Sequence, residues 1–107
     1  MNDIRSYATV QKWIVNVDRY YHLSDDEWAD RLRIMEDFCR AADQDPDAMI
    51  AEALNDRAEK IDYMRRLKSF AKEQSKSRNA AHDLENVVRS FFIHNGARVV
   101  TRPYAQD

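Results

Sequence analysis

Lys68, Lys72 and Lys76 recur every four residues, and Ser77, Arg78, Asn79 and His82 follow close behind. A four-residue spacing puts Lys68 and Lys72 on one face of a helix, and Lys76 extends that face into the next connection. Ser77, Arg78 and Asn79 then stand where a new helix should begin. A helix start offers free N–H groups and partial positive charge, and both suit a phosphate. His82 falls one turn further on, and Arg89 lies along the same segment. Anion binding is therefore the chemistry this set can perform. On a nucleic acid, phosphate contacts would set the position, while Arg78 is suited to guanine and Asn79 to adenine. A plain helix cap with solubilising charges is the competing reading.

Signs of other chemistry are scarce. His22, His82 and His94 are far apart, and none makes an i, i+4 metal pair with a carboxylate nearby, so each is expected to be a surface or cap histidine. A single cysteine, Cys39, rules out an internal disulfide and falls in an apolar helical register, where it reads as a small buried hydrophobe. The carboxylates of 25–47 look like caps and a solvated face rather than an acid–base pair. Nothing near Tyr104 would activate it as a nucleophile. The one glycine, Gly96, excludes a glycine-rich phosphate loop. No catalytic residue, cofactor or metal is expected, and the chain reads as something other than an enzyme.

Charge sharpens the picture. The chain carries a net −2, but residues 1–56 hold −7, residues 57–78 hold +5 and residues 79–107 are neutral. Such asymmetry means that an anionic partner would meet one surface only. At 107 residues, 44% hydrophobic and 34% charged, the chain has room for one domain with a genuine core. One Gly and two Pro are too few turn residues for a small β-sandwich or barrel. No apolar run approaches the ~20 residues of a membrane span. Met1-Asn2-Asp3-Ile4-Arg5 lacks the pattern of a signal peptide. With the lone cysteine, this makes a cytoplasmic location the expectation.

The elements that must position these residues follow from capping and periodicity. Ser24-Asp25-Asp26-Glu27 is a capping box, and Trp28, Leu32, Met35, Phe38, Cys39 and Ala42 repeat behind it, predicting a helix over 25–42. Asp45-Pro46 opens a shorter one over 46–55, with Met49, Ile50, Ala53 and Leu54 apolar. A third runs about 57–73 with Ile61, Met64, Leu67, Phe70 and Ala71 on one face, its other face carrying most of the basic cluster. After the polar connector 74–79, a helix over 78–95 carries Leu84, Val87, Val88, Phe91 and Phe92 and stops at Asn95-Gly96. Residues 7–20 are ambiguous: Val10, Trp13, Ile14, Val17 and Tyr21 have helical spacing, while Trp13, Val15 and Val17 alternate as in a strand. A helix is the expectation there. Trp13, Tyr20 and Tyr21 either pack over the bundle or form a contact surface, and packing is expected. The fold class is all-α, a bundle of four main helices with a further one at the N-terminus. The chain divides into an N-terminal segment 1–23, a helical domain 24–96 and an exit linker 97–107.

In that order, Ser24-xxx-Trp28-xxx-Leu32-xx-Met35-xx-Phe38, Asp45-Pro46, Ile61-xx-Met64-xx-Leu67, Ser77 to Asn79, and Leu84-xx-Val87-Val88-xx-Phe91-Phe92 resemble the SAM-like core-binding domain of tyrosine recombinases, the phage-type integrases. The resemblance covers about residues 24–96. It implies half of a clamp around duplex DNA, with a separate C-terminal catalytic domain as partner and no cleavage by this domain itself. The matching DNA-contact positions are Lys76, Ser77, Arg78, Asn79, His82 and Arg89, to which the basic face adds Lys68 and Lys72. The catalytic Arg, His-x-x-Arg and Tyr set is absent: His94-Asn95-Gly96-Ala97-Arg98 has one residue too many. The chain then reads as an excised piece or a stand-alone relative, monomeric in isolation. Two departures stand out: the acidic first half and the aromatic segment 1–23. A protein-interaction module using Trp13, Tyr20, Tyr21 and the acidic surface is the alternative.

Overall fold

Helix boundaries in this chain are set by the side chains that cap them. The computed structural model describes residues 2–99. Five α-helices lie among them: α1 (Ala8–Tyr20), α2 (Asp25–Ala42), α3 (Pro46–Asn55), α4 (Arg57–Gln74) and α5 (Arg78–His94), preceded by a 3-10 turn at Ile4–Ser6. The Ser24 hydroxyl accepts from the Glu27 amide at 3.1 Å, and the Glu27 carboxylate accepts from the Ser24 amide at 3.2 Å, completing the capping box of α2. Asp45 caps α3 by accepting from the Ala48 amide at 2.8 Å, with Pro46 in the first position, where no N–H is needed. Asp56 and Ser77 cap α4 and α5 in the same way. At the other end of α5, Gly96 takes φ +89°, a conformation that glycine adopts without steric cost. No strand occurs among the described residues.

The expected spans agree with these bounds to within a residue or so. The ambiguous segment is helical because its buried positions follow the 3.6-residue period: Val10, Trp13 and Val17 are in the core, while Val15 points out. Trp13 is fully buried at the centre of the molecule. Its ring meets Trp28 edge-on at 5.3 Å and Phe91 at 5.6 Å, and its indole N–H donates to Ser90 Oγ at 3.1 Å. Trp28 donates to Asp18 at 2.8 Å, so both indoles bury their rings with the N–H satisfied. Phe38, Phe70, Phe91 and Phe92 complete a core to which all five helices contribute. The radius of gyration, 13.1 Å, is what one globule of this length should have.

Three expectations about faces are corrected. Tyr20 and Tyr21 are exposed, at 72% and 66%, because α1 stops at Tyr20 and the chain turns extended at Tyr21. On α4 the buried stripe is Tyr63, Leu67, Phe70 and Ala71, with Ile61 exposed. Tyr63 is buried because its hydroxyl finds a partner on α3, donating to Glu52 at 2.9 Å. On α3 Leu54 is exposed rather than part of the apolar face. The expected break at Pro103, the residue Tyr104 and most of the linker 97–107 lie outside the described residues.

Candidate nucleic-acid interface

The three-residue connection after α4 folds α5 back beside it and leaves a groove of about 370 Å³ between the two. Lys68 and Lys72 reach it from α4, Lys76 from the connection, and Ser77, Arg78 and His82 from the first turns of α5. Six of the eight residues expected to touch an anion therefore line one groove. Lys68, Lys72 and Lys76 are exposed. Among the described residues none of these three ammonium groups has an ion pair. Like charges one turn apart cost a helix about 0.2–0.5 kcal/mol per pair. An anion between them would reverse the sign of that term.

The other two expected residues stand elsewhere. Asn79 is exposed and does not line the groove. Arg89 is turned inward. Its side chain is only 11% exposed, and its guanidinium donates to Glu85 Oε1 and sits on the Met64 sulfur, each at 3.3 Å. Arg89 is outside the lining of the groove.

His82 is a correction. The sequence pattern puts it at the surface or in a cap, yet it is 7% exposed and lines the groove. Its Nδ1 is enclosed and has no hydrogen-bond partner among the described residues. Sequence reasoning also missed Glu85, which is 2% exposed and lines the same groove. Its i, i+4 spacing to Arg89 was the available signal. The groove thus presents Lys68, Lys72, Lys76 and Arg78 against one carboxylate, and that carboxylate is held by Arg89.

The remaining basic residues of 57–78 do not all share this face. Arg66 pairs with Asp62 at 2.9 Å, lies 5.7 Å from the centre of the Tyr63 ring and donates to the Ala42 carbonyl at 3.2 Å. With Arg65 it borders a different hollow, of about 330 Å³, over Phe38 and Phe70 between α2 and α4. On α2 the charges pair along the helix: Arg33 with Asp30 at 2.6 Å, and Arg40 with Glu36 at 2.9 Å and Asp37 at 3.1 Å. The Asp30 hydrogen bond raises the pKa of Arg33.

Burial pushes the Cys39 thiol up to about 12, leaving it protonated and inert at neutral pH. Burial, aided by the bond to Glu52, pushes the Tyr63 hydroxyl to about 12 as well. His94, in the last turn of α5, is lowered by burial. Among the described residues no three His, Cys, Asp or Glu side chains are grouped to hold a metal, and no helix is long and apolar enough to cross a membrane. No family model, curated protein or solved structure matches the chain.

Proposed function

We propose that this chain binds double-stranded DNA through the α4–α5 groove and leaves cleavage to another protein or domain. The observation that carries the reading is the convergence of Lys68, Lys72 and Lys76, none of them ion-paired among the described residues, with Arg78 at the start of α5. Phosphates are the anions best matched to lysines beside a helix N-terminus. The order of helices and the capped start of α5 support the resemblance to a SAM-like recombinase core-binding domain. In that setting the domain would be one half of a DNA clamp in the cytoplasm, partnered by a C-terminal catalytic domain. Fluorescence anisotropy with a labelled duplex tests the reading. Three or four phosphate contacts predict that log K falls with log salt at a slope of about −3. No binding at low salt would overturn it.

One observation favours a second reading, a protein-interaction module. Tyr20 and Tyr21 are adjacent and exposed, and Tyr21 borders a hollow of about 170 Å³ with Val17, Leu23 and His94. Aromatic residues with a polar tip suit protein interfaces. In this reading Tyr20→Ser with Tyr21→Ser abolishes self-association or partner capture in sedimentation velocity, while DNA binding is nil.

A further inference from the structure

One buried polar group in the lining of the groove has no hydrogen-bond partner among the described residues. His82 sits where α4 and α5 meet, 7% exposed, with Nδ1 unbonded among the described residues. A buried unsatisfied polar group costs about 1–3 kcal/mol. Around it the lysines of α4 and the Ser75–Ser77 connection converge on about 370 Å³, a volume in the range of small-ligand sites and far smaller than the footprint of a duplex.

The shape of the recess separates two kinds of phosphate. A phosphodiester inside a duplex carries one negative charge and is tethered on both sides, so it meets a protein at the surface of the double helix. A phosphate monoester carries about −1.5 to −2 at pH 7, has three acceptor oxygens, and projects from a single ester bond. Projecting from one bond, the second can enter the groove further than a phosphate held in a continuous backbone, toward the His82 ring in its lining. It also brings enough charge to satisfy more than one ammonium group. Glu85 works against any anion here, but Arg89 at 3.3 Å offsets it.

We propose that the α4–α5 groove is a pocket for a phosphate monoester, held by Lys68, Lys72 and Lys76 with a ring N–H of His82. Resting on the DNA reading, the group would be the 5′-phosphate at a strand end. The site then selects ends or nicks over continuous duplex.

The test compares one blunt duplex with 5′-phosphate and with 5′-hydroxyl ends, labelled internally, by anisotropy. In parallel, the ¹⁵N spectrum of the full chain is titrated with inorganic phosphate and with a nucleoside 5′-monophosphate. The proposal predicts at least tenfold tighter binding of the phosphorylated duplex, lost in Lys72→Ala with Lys76→Ala, whose exposed positions leave the fold unchanged. It also predicts that shifts from both small anions centre on Ser77 to His82. Equal affinity for the two duplexes overturns the pocket while DNA binding stands. Groove shifts with the small anions but no binding of either duplex keeps the pocket and overturns the DNA reading. No response to any of them overturns both.

Discussion

The Trp13 cluster and the α4–α5 groove are built from the same helix α5 and obey opposite rules. Around Trp13 every buried polar atom is matched: indole to Ser90, indole to Asp18, and the Asn95 amide to the Thr9 and Phe91 carbonyls at 3.0 and 2.9 Å. Around His82 a ring nitrogen has no partner and three lysines stand together without counter-ions among the described residues. A chain whose local choices agree with its fold almost everywhere marks its working surface where they disagree. One end of α5 thus packs into a fully matched core, and the other carries an unmatched ring nitrogen beside three lysines.

Breaking the first region should be costly for the fold. Trp13→Ala removes a fully buried ring and two edge contacts, and about 3–5 kcal/mol of stability should go with it in urea unfolding. Glu85→Gln sharpens the contrast because it alters a buried ion pair and the lining of the groove together. Loss of the charged bond to Arg89 should cost about 2 kcal/mol, while DNA affinity should rise as the carboxylate leaves the groove. A fall in affinity would place the DNA site elsewhere than this groove. Tyr63→Phe tests a matched polar contact remote from the groove. It should lose about 1 kcal/mol through the missing bond to Glu52 and bind DNA unchanged.

The smallest effect is one of pH. Burial lowers the pKa of His94 from its ordinary 6.5, so over that interval the folded chain binds fewer protons than the unfolded one. Its contribution is complete above pH 6.5 and is lost as the pH falls toward the lowered value. The urea midpoint at pH 5.5 should therefore sit below that at pH 7.5 by less in His94→Gln than in the parent chain. An identical difference in the two proteins would remove His94 from the acid response.

Most of the fold could be read from the sequence because the signals that set it are local. Ser24 with Glu27, Asp45 with Pro46, and Asn95 with Gly96 each act within four residues, and each marks a helix end that the structure keeps. Most of what escaped depends on partners distant in sequence. Tyr63 enters the core through a hydroxyl acceptor eleven residues back, and Ile61 gives up the place its hydropathy suggested. His82 was misplaced because its burial is made by α4 and the connection packing over α5, which no property of a lone histidine encodes. The burial of Arg89 with Glu85 had a local signal, their i, i+4 spacing, but not the depth at which the pair lies. The lysine set was legible since four-residue spacing already fixes a face; that the face borders a groove with a buried histidine in its lining was not.

The most direct measurement replaces Lys68, Lys72 and Lys76 together with alanine and follows duplex binding by anisotropy across a salt series, alongside a urea melt. The parent should show a log–log salt slope of about −3, the variant a slope no steeper than about −1 with affinity largely lost, and the melting curve should stay put or move slightly upward. A variant that binds as tightly as the parent, with the same slope, would mean that these lysines grip no nucleic acid.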